Sequence, residues 1–275
     1  MAVLGSNAYG KTRVRLTYVD RTKSPHEVRE LSLEILFEGE FAAAYTDGDN
    51  ASVLPTDTIK NTVYVLARRL AWDSAEVLAQ EIAQHFLDRL PHLSQVRIDI
   101  EEVPWKQIAD YSTAFVQAGN ERRTTRLKAT RSHLDLSAGI KGLQILKTAD
   151  SGFAGFLKDD LTTLAETDDR LFGTVLQAEW QYLGRDIEFN DCHHQVRAVL
   201  LDCFAQHRSL SVQHTLFAMG KAVLDKLDFV AGIHLVMPNK HCLLVDLSRF
   251  GLDNLNQIFV PVDEPSGYIE ARIAR

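Results

Sequence analysis

A handful of residues, far apart in the sequence, have the chemistry to hold a flat polar ring. Arg170 carries a guanidinium, whose planar fork suits bidentate contact with an edge of carbonyl oxygens. Gln213 offers an amide with one donor group and one acceptor, which matches a ring edge presenting both N–H and C=O. Phe153, in Ser151-Gly152-Phe153-Ala154-Gly155-Phe156, can stack on such a ring with a gain of about 1 kcal/mol. Lys11 has an amine that acts as a base if burial and positive neighbours hold it neutral. Thr56 and Asp57 fall at a predicted helix mouth, where unpaired backbone N–H groups and the positive dipole end receive anions. Each also has an ordinary use. Lys11 suits a solvated strand end, and Arg170 an ion pair with Asp168 or Asp169. Gln213 suits a first helical turn, Phe153 and Phe156 the anchoring of a long loop, and His241 the polar start of a strand.

The elements that must position these groups follow from periodicity. Pro55-Thr56-Asp57-Thr58-Ile59-Lys60-Asn61-Thr62 opens a run with helical spacing (Ile59, Val63, Leu66, Leu70), and Thr58 is the predicted N-cap. Before it, Val14, Leu16 and Tyr18 alternate with Arg13, Arg15 and Thr17. Leu31, Leu33, Ile35 and Phe37 then alternate with Glu30, Ser32, Glu34 and Glu38. A period of two marks a hairpin whose sheet is covered on one side. A second helix is expected from Asp73-Ser74-Ala75-Glu76, a capping-box pattern, then a strand over 96–100. A weaker strand over 111–132 is broken at Gly119-Asn120, whose loop carries solvated charge.

The same order recurs downstream. A strand at 134–148, a loop at 149–168 and a strand at 176–182 precede helices at 190–207 and 211–226. Strands at 229–237 and 241–247 follow, the latter with His241, Leu243, Val245 and Leu247 facing inward, and short strands close the chain at 257–262 and 268–273. No residue-level repeat is visible, only the repeated order of elements. Strands and helices so grouped predict an antiparallel α+β fold with helices on one sheet face, and open sheet edges invite lateral pairing.

Composition narrows the classes. The chain is 45% hydrophobic and 24% charged, with a net charge of −7. That is ordinary for a globular protein and gives no electrostatic support to a nucleic-acid surface. No apolar run reaches membrane length, and the N-terminus lacks the build of a signal peptide. Three cysteines without scaffold spacing, Cys192, Cys203 and Cys242, predict a reducing compartment. The ending Ile273-Ala274-Arg275 is no peroxisomal address, so a cytoplasmic, bacterial protein is expected. Cys192-His193-His194 has metal-binding residue types, but neighbouring side chains on a helix diverge.

Several motifs stand in one order between Leu4 and Arg272. They are Tyr9-Gly10-Lys11, the Pro55–Thr62 stretch, and Gly155-Phe156-Leu157 leading through Thr162-Thr163-Leu164 to Asp169-Arg170. Val212-Gln213 and Leu235-Val236-Met237-Pro238-Asn239-Lys240-His241 complete the set. Together they resemble the urate oxidase (uricase) family. The resemblance implies two tandem tunnelling-fold domains, taken here as 1–133 and 134–275, whose sheets close into a barrel between subunits of a homotetramer. It implies oxidation of urate by dioxygen and water to 5-hydroxyisourate and hydrogen peroxide, with no cofactor and no metal. By the same resemblance Lys11, Thr56 and His241 relay protons, and Arg170 and Gln213 grip the purine. Phe153 stacks on it, with Phe156 read as the loop anchor, while Leu164 and Val212 line the pocket. Backbone N–H groups of Thr56 and Asp57 face the five-membered ring, and Asn239 holds dioxygen or water above it. Lys11, Thr56 and Asp57 would come from one subunit and the other residues from its neighbour.

Two positions depart from the family pattern. Pro55 replaces a small aliphatic residue but leaves the Thr56 and Asp57 N–H groups intact, and Ala154 is small where relatives carry bulk. Two other functions stay open at this point. A metal-dependent tunnelling-fold enzyme acting on a purine or pterin would need a better ligand cluster than Cys192-His193-His194. A non-catalytic purine binder would have no need of Lys11.

Overall fold

The computed structural model describes residues 2–184 and 186–275, and the chain divides into two units. The first runs to Gly139 and takes in Glu188–Asn190; the second comprises Ile140–Ile187 and Asp191–Arg275. The division therefore falls inside a strand.

In the first unit, β1 (Tyr9–Asp20) and β2 (Glu27–Gly39) form the predicted hairpin. A short helix α1 (Ala42–Thr46) follows, then α2 (Thr56–Arg69) and α3 (Ala75–Arg89). β3 (Leu93–Val103), the small β4 (Trp105–Gln107) and β5 (Phe115–Gln117) pair, and β6 (Arg122–Ala129) complete the unit. The sheet order is β1-β2-β3-β6, all antiparallel. Leu31, Leu33, Ile35 and Phe37 are buried along one face of β2, and Val96, Ile98 and Ile100 along β3. Over this face lie Ile59, Val63 and Ala67 of α2 and Leu78, Ile82 and Phe86 of α3. Each large apolar side chain so buried contributes about 1.5–3 kcal/mol, which is what fixes the helices to one side of the sheet.

Two local expectations give way, and one short helix goes unannounced. The weak strand over 111–132 is two strands, β5 and β6, because Gly119 takes a left-handed turn (φ 73°) between them. The cap of α3 is Ser74, whose hydroxyl accepts the Val77 N–H. Glu76 instead lies fully buried and receives the Arg123 guanidinium at 2.7 Å. The helix α1 carried no periodic signal; five residues are too few to show one.

The second unit repeats the plan. β7 (Leu134–Lys147) pairs with β8 (Phe172–Tyr182), and α4 (Phe189–Gln206) and α5 (Val212–Lys226) follow. β9 (Val230–Val236) adds to β8 and β12 (Glu270–Ala274) to β9. A longer hairpin, β10 (Asn239–Leu244) with β11 (Phe259–Gly267), branches off β8 through Asn239↔Thr174. Trp180, Phe172, Leu216, Met219 and Ile233 fill its core. The antiparallel α+β class expected from the sequence is the observed one. The expected inward face of the strand at 241–247 is not: β10 ends at Leu244, and Leu243 is 58% exposed. Beyond Asn239 and Lys240 its strand pairing among the described residues is with β11 alone.

Candidate active site

Lys11 is set by two backbone constraints. At Gly10 an added Cβ would stand 1.9 Å from the Ile35 carbonyl oxygen, so β1 approaches β2 there as only glycine allows. Just after Lys11 the register slips, from Lys11↔Ile35 to Val14↔Leu33, with Arg13 at φ 54°. Such a bulge bends a strand and re-aims its side chains. The half-buried Lys11 is thereby held at the bent end of the strand. Tyr9, packed edge-on against Phe37 and Phe41 at 5.8 and 4.7 Å, accepts the Leu54 N–H at 2.9 Å. This bond ties the start of β1 to the segment leading into α2; sequence reading included Tyr9 in a motif without giving it that task.

The helix α2 opens at Thr56, two residues before the expected Thr58 cap. Pro55 (φ −53°) is preset for a helix entry, and its carbonyl accepts the N–H groups of Thr58 and Ile59 at 2.9 and 3.2 Å. The N–H groups of Thr56 and Asp57 have no acceptor among the described residues and remain available at the helix mouth. The Asp57 carboxylate turns back along the helix to Lys60 and Asn61, at 2.5 and 2.9 Å. Its pKa is held below the usual carboxylate range, first by the hydrogen bond from Lys60 and then by that charge, with the Lys11 ammonium adding to the effect. Lys11 and Thr56 are not hydrogen-bonded to each other here; what links their segments is the bond between the Leu54 N–H and the Tyr9 hydroxyl.

The second group lies on three segments of the second unit. Ser151 and Ser209 form a parallel bridge, with Gly152 N–H on the Ser209 carbonyl and Ser209 N–H on the Asp150 carbonyl, each 2.8 Å. Phe153 and Thr167 exchange backbone bonds of 2.7 and 3.1 Å. Gly152 passes so close to the Thr167 and Asp168 carbonyls that a Cβ would meet them at 3.1 and 3.0 Å. Thus Phe153, Arg170 and the entry to α5 are joined through backbone. Phe153 stacks on Phe156 at 4.8 Å, and the Arg170 guanidinium carbon lies 5.4 Å from the Phe153 centroid. The two rings are each half-buried, so the anchor and the stacker share one stack.

Arg170 does not make the ion pair that its neighbours Asp168 and Asp169 offered. Its Nε is buried with no partner among the described residues, and burial lowers its pKa from the ordinary value. At the mouth of α5, Ser211 caps by accepting the His214 N–H at 3.1 Å, with Val212 buried and Gln213 exposed in the first turn. Asn239 is buried where β10 meets β8 and β11, and His241, half-buried, pairs with Val262. Leu164 is 59% exposed on the loop. Cys192 and His193 point into the core while His194 is exposed, and no group of three or more His, Cys, Asp or Glu could hold a metal among the described residues.

The family model described as Uricase matches residues 7–128 and 136–270. A uricase from Arthrobacter globiformis is 40% identical over 99% of this chain and 90% of its own, and one from Dictyostelium discoideum 38% over 100% and 98%. The crystal structure of the Arthrobacter globiformis uricase superposes with a TM-score of 0.96, covering 100% of this chain and 96% of the other.

Proposed function

Since the chain belongs to the uricase family, we propose that it oxidises urate with dioxygen and water to 5-hydroxyisourate and hydrogen peroxide. It is an oxidoreductase of that family. The observation that carries the reading is the part-buried Arg170 beside the Phe153 ring, its buried Nε without a partner among the described residues, on backbone joined to the helix that presents Gln213. A cation without a protein partner in a sheltered place is poised for an anionic ligand.

In this mechanism Arg170 and Gln213 grip the carbonyl and N–H edge of urate, and Phe153 stacks on the ring face left open by Phe156. Val212 and Leu164 close the sides. The free N–H groups of Thr56 and Asp57 take the five-membered ring at the positive end of α2. Lys11, with Thr56 as intermediary and His241 on the other side, removes a proton so that the dianion can give electrons to dioxygen. Asn239 holds the oxygen species, and water then adds to the oxidised ring as peroxide leaves.

The Lys11–Thr56–Asp57 group belongs to one unit and the clamp to the other. We assign them to different subunits at each site, in a homotetramer of tandem tunnelling-fold domains (1–133 and 134–275) whose sheets close into a barrel. The exposed apolar residues Leu243, Leu244 and Val260 on the β10–β11 hairpin support an assembled state. Three cysteines without the spacing of a disulfide scaffold support a cytoplasmic site of action. No helix among the described residues is long and apolar enough to cross a membrane.

The test is direct. Purified protein with urate in air should remove the ultraviolet absorbance of urate, consume dioxygen and release peroxide in equal amounts. Stable absorbance with bound urate would make the chain a binder, not an enzyme.

A further inference from the structure

The segment that carries Arg170 and the segment that carries Phe153 are joined by one side chain as well as by backbone. Asp169 accepts the backbone N–H of Ser151 on Oδ1 at 3.2 Å, and its own carbonyl accepts the Thr167 hydroxyl at 2.7 Å. Ser151 is completely buried and its N–H has no other acceptor among the described residues, so the carboxylate answers a donor that water does not reach. The same bond has a second consequence. A carboxylate next in sequence to a guanidinium would ordinarily compete for it. Here Asp169 faces Ser151, and Arg170 keeps its charge unspent. Asp168, one residue earlier and exposed, has no such bond among the described residues.

We propose that Asp169 is a positioning residue for the purine clamp: by holding the Ser151 N–H it sets Phe153 against Arg170 and keeps the guanidinium free for substrate. The inference rests on the reading of Phe153 and Arg170 as substrate contacts. Loosening the clamp removes binding shared by ground and transition states, which raises KM more than it lowers kcat.

The experiment compares Asp169→Ala, Asp169→Asn and Asp168→Ala in the full-length protein, using urate turnover and binding of the analogue 8-azaxanthine. Asp169→Ala should raise KM for urate and Kd for the analogue roughly tenfold, with kcat changed about twofold or less. Asp169→Asn keeps an oxygen acceptor and should restore both to within about twofold. Asp168→Ala should match the native protein. Should Asp169→Ala fail to fold, Asp169→Glu, which displaces the carboxylate without deleting it, should show the same rise in KM. The proposal is overturned if Asp169→Ala or Asp169→Glu binds the analogue as the native protein does, or if Asn is as damaging as Ala. A native protein that neither binds nor oxidises urate overturns the functional reading itself, which is a separate result.

Discussion

Arg131 and Arg275 do the same work in the two units. The Arg131 guanidinium donates to the carbonyls of Leu87, Leu90 and Leu93, at 2.9, 2.9 and 2.6 Å. That of Arg275 donates to Leu224, Leu227 and Val230, at 2.6, 2.9 and 3.0 Å. In both, the acceptors are spaced by three residues and span the C-terminal end of the last helix of the unit (α3 or α5) and the entry to the next strand. Helix C-termini leave carbonyls unsatisfied, and a planar five-donor group placed against the negative dipole end answers several at once.

Arg131→Met keeps the aliphatic stem but leaves these carbonyls to solvent. Because the group is partly exposed, water compensates in part, and the expected loss is about 1–2 kcal/mol. Urea denaturation followed by circular dichroism should show the midpoint falling. Arg131→Lys should recover less than half of the loss, since an ammonium cannot reach three carbonyls in that geometry. An unchanged midpoint for Met would mean that solvent serves the helix end equally well.

Apart from that pair of arginines, the internal repeat was invisible in the sequence while the order of elements was plain. The elements were legible because burial imposes periodicity: Leu31, Leu33, Ile35 and Phe37 could only be one face of a strand. The repeat was not, because the two copies share backbone tasks and different residues perform them. Arg13 in β1 and Gly142 in β7 both take positive φ, at 54° and 74°. The hairpin before each capping arginine is short in one unit (β4–β5) and long in the other (β10–β11), which breaks any fixed period. Candidate site segments were legible where a motif was dense, as around Lys11 and Arg170. Tyr9 and Asp169 act through one hydrogen bond to a distant backbone N–H, and no pattern of neighbours announces that.

The bent start of β1 yields a paired prediction. Gly10→Ala puts a methyl 1.9 Å from the Ile35 carbonyl and 2.9 Å from the Leu36 Cα, both backbone atoms that cannot turn aside. The strands must separate, at a cost of roughly 3 kcal/mol or more, and Lys11 moves with them. Arg13→Gly instead removes a left-handed conformation that costs a side chain about 1 kcal/mol, offset in part by the freer unfolded chain. Thermal melts with parallel turnover assays should show Gly10→Ala losing both stability and activity, and Arg13→Gly melting at or slightly above the native temperature.

Glu102 gives a pH dependence of definite sign. Burial raises its pKa above the usual 4.5, opposed by the charges of Arg29 and Arg123 and reinforced by Glu76 and Glu27. The fold therefore prefers the protonated acid. Its contribution is fully present below the unfolded pKa near 4.5 and is lost as pH rises through the folded value. Glu102→Gln imitates the protonated form. Arg29 retains Glu27 at 2.6 Å and Arg123 retains Glu76 at 2.7 Å, so neither cation is orphaned. Urea midpoints across pH 4 to 8 should show Gln at least as stable as native at neutral pH, with less stability lost as pH rises. A large loss at neutral pH would show that the 3.5 Å contact with Arg29 outweighs the burial of the charge.

The assignment of each site to two subunits predicts rescue by mixing. A Lys11→Met copy lacks the relay lysine but has an intact clamp, and an Arg170→Ala copy has the reverse. Alone, each oligomer contains only damaged sites. When the two are co-expressed, a site that takes Lys11 from one copy and Arg170 from the other can be wholly native, while its opposite number carries both lesions. Random pairing at equal amounts makes about a quarter of all sites intact, so activity should return to roughly a quarter of the native value. If each site were built within a single chain, no mixture could contain an intact one. Activity would then stay at the level of the separate variants at every mixing ratio, and the division of labour between Lys11 and the clamp would have to be redrawn.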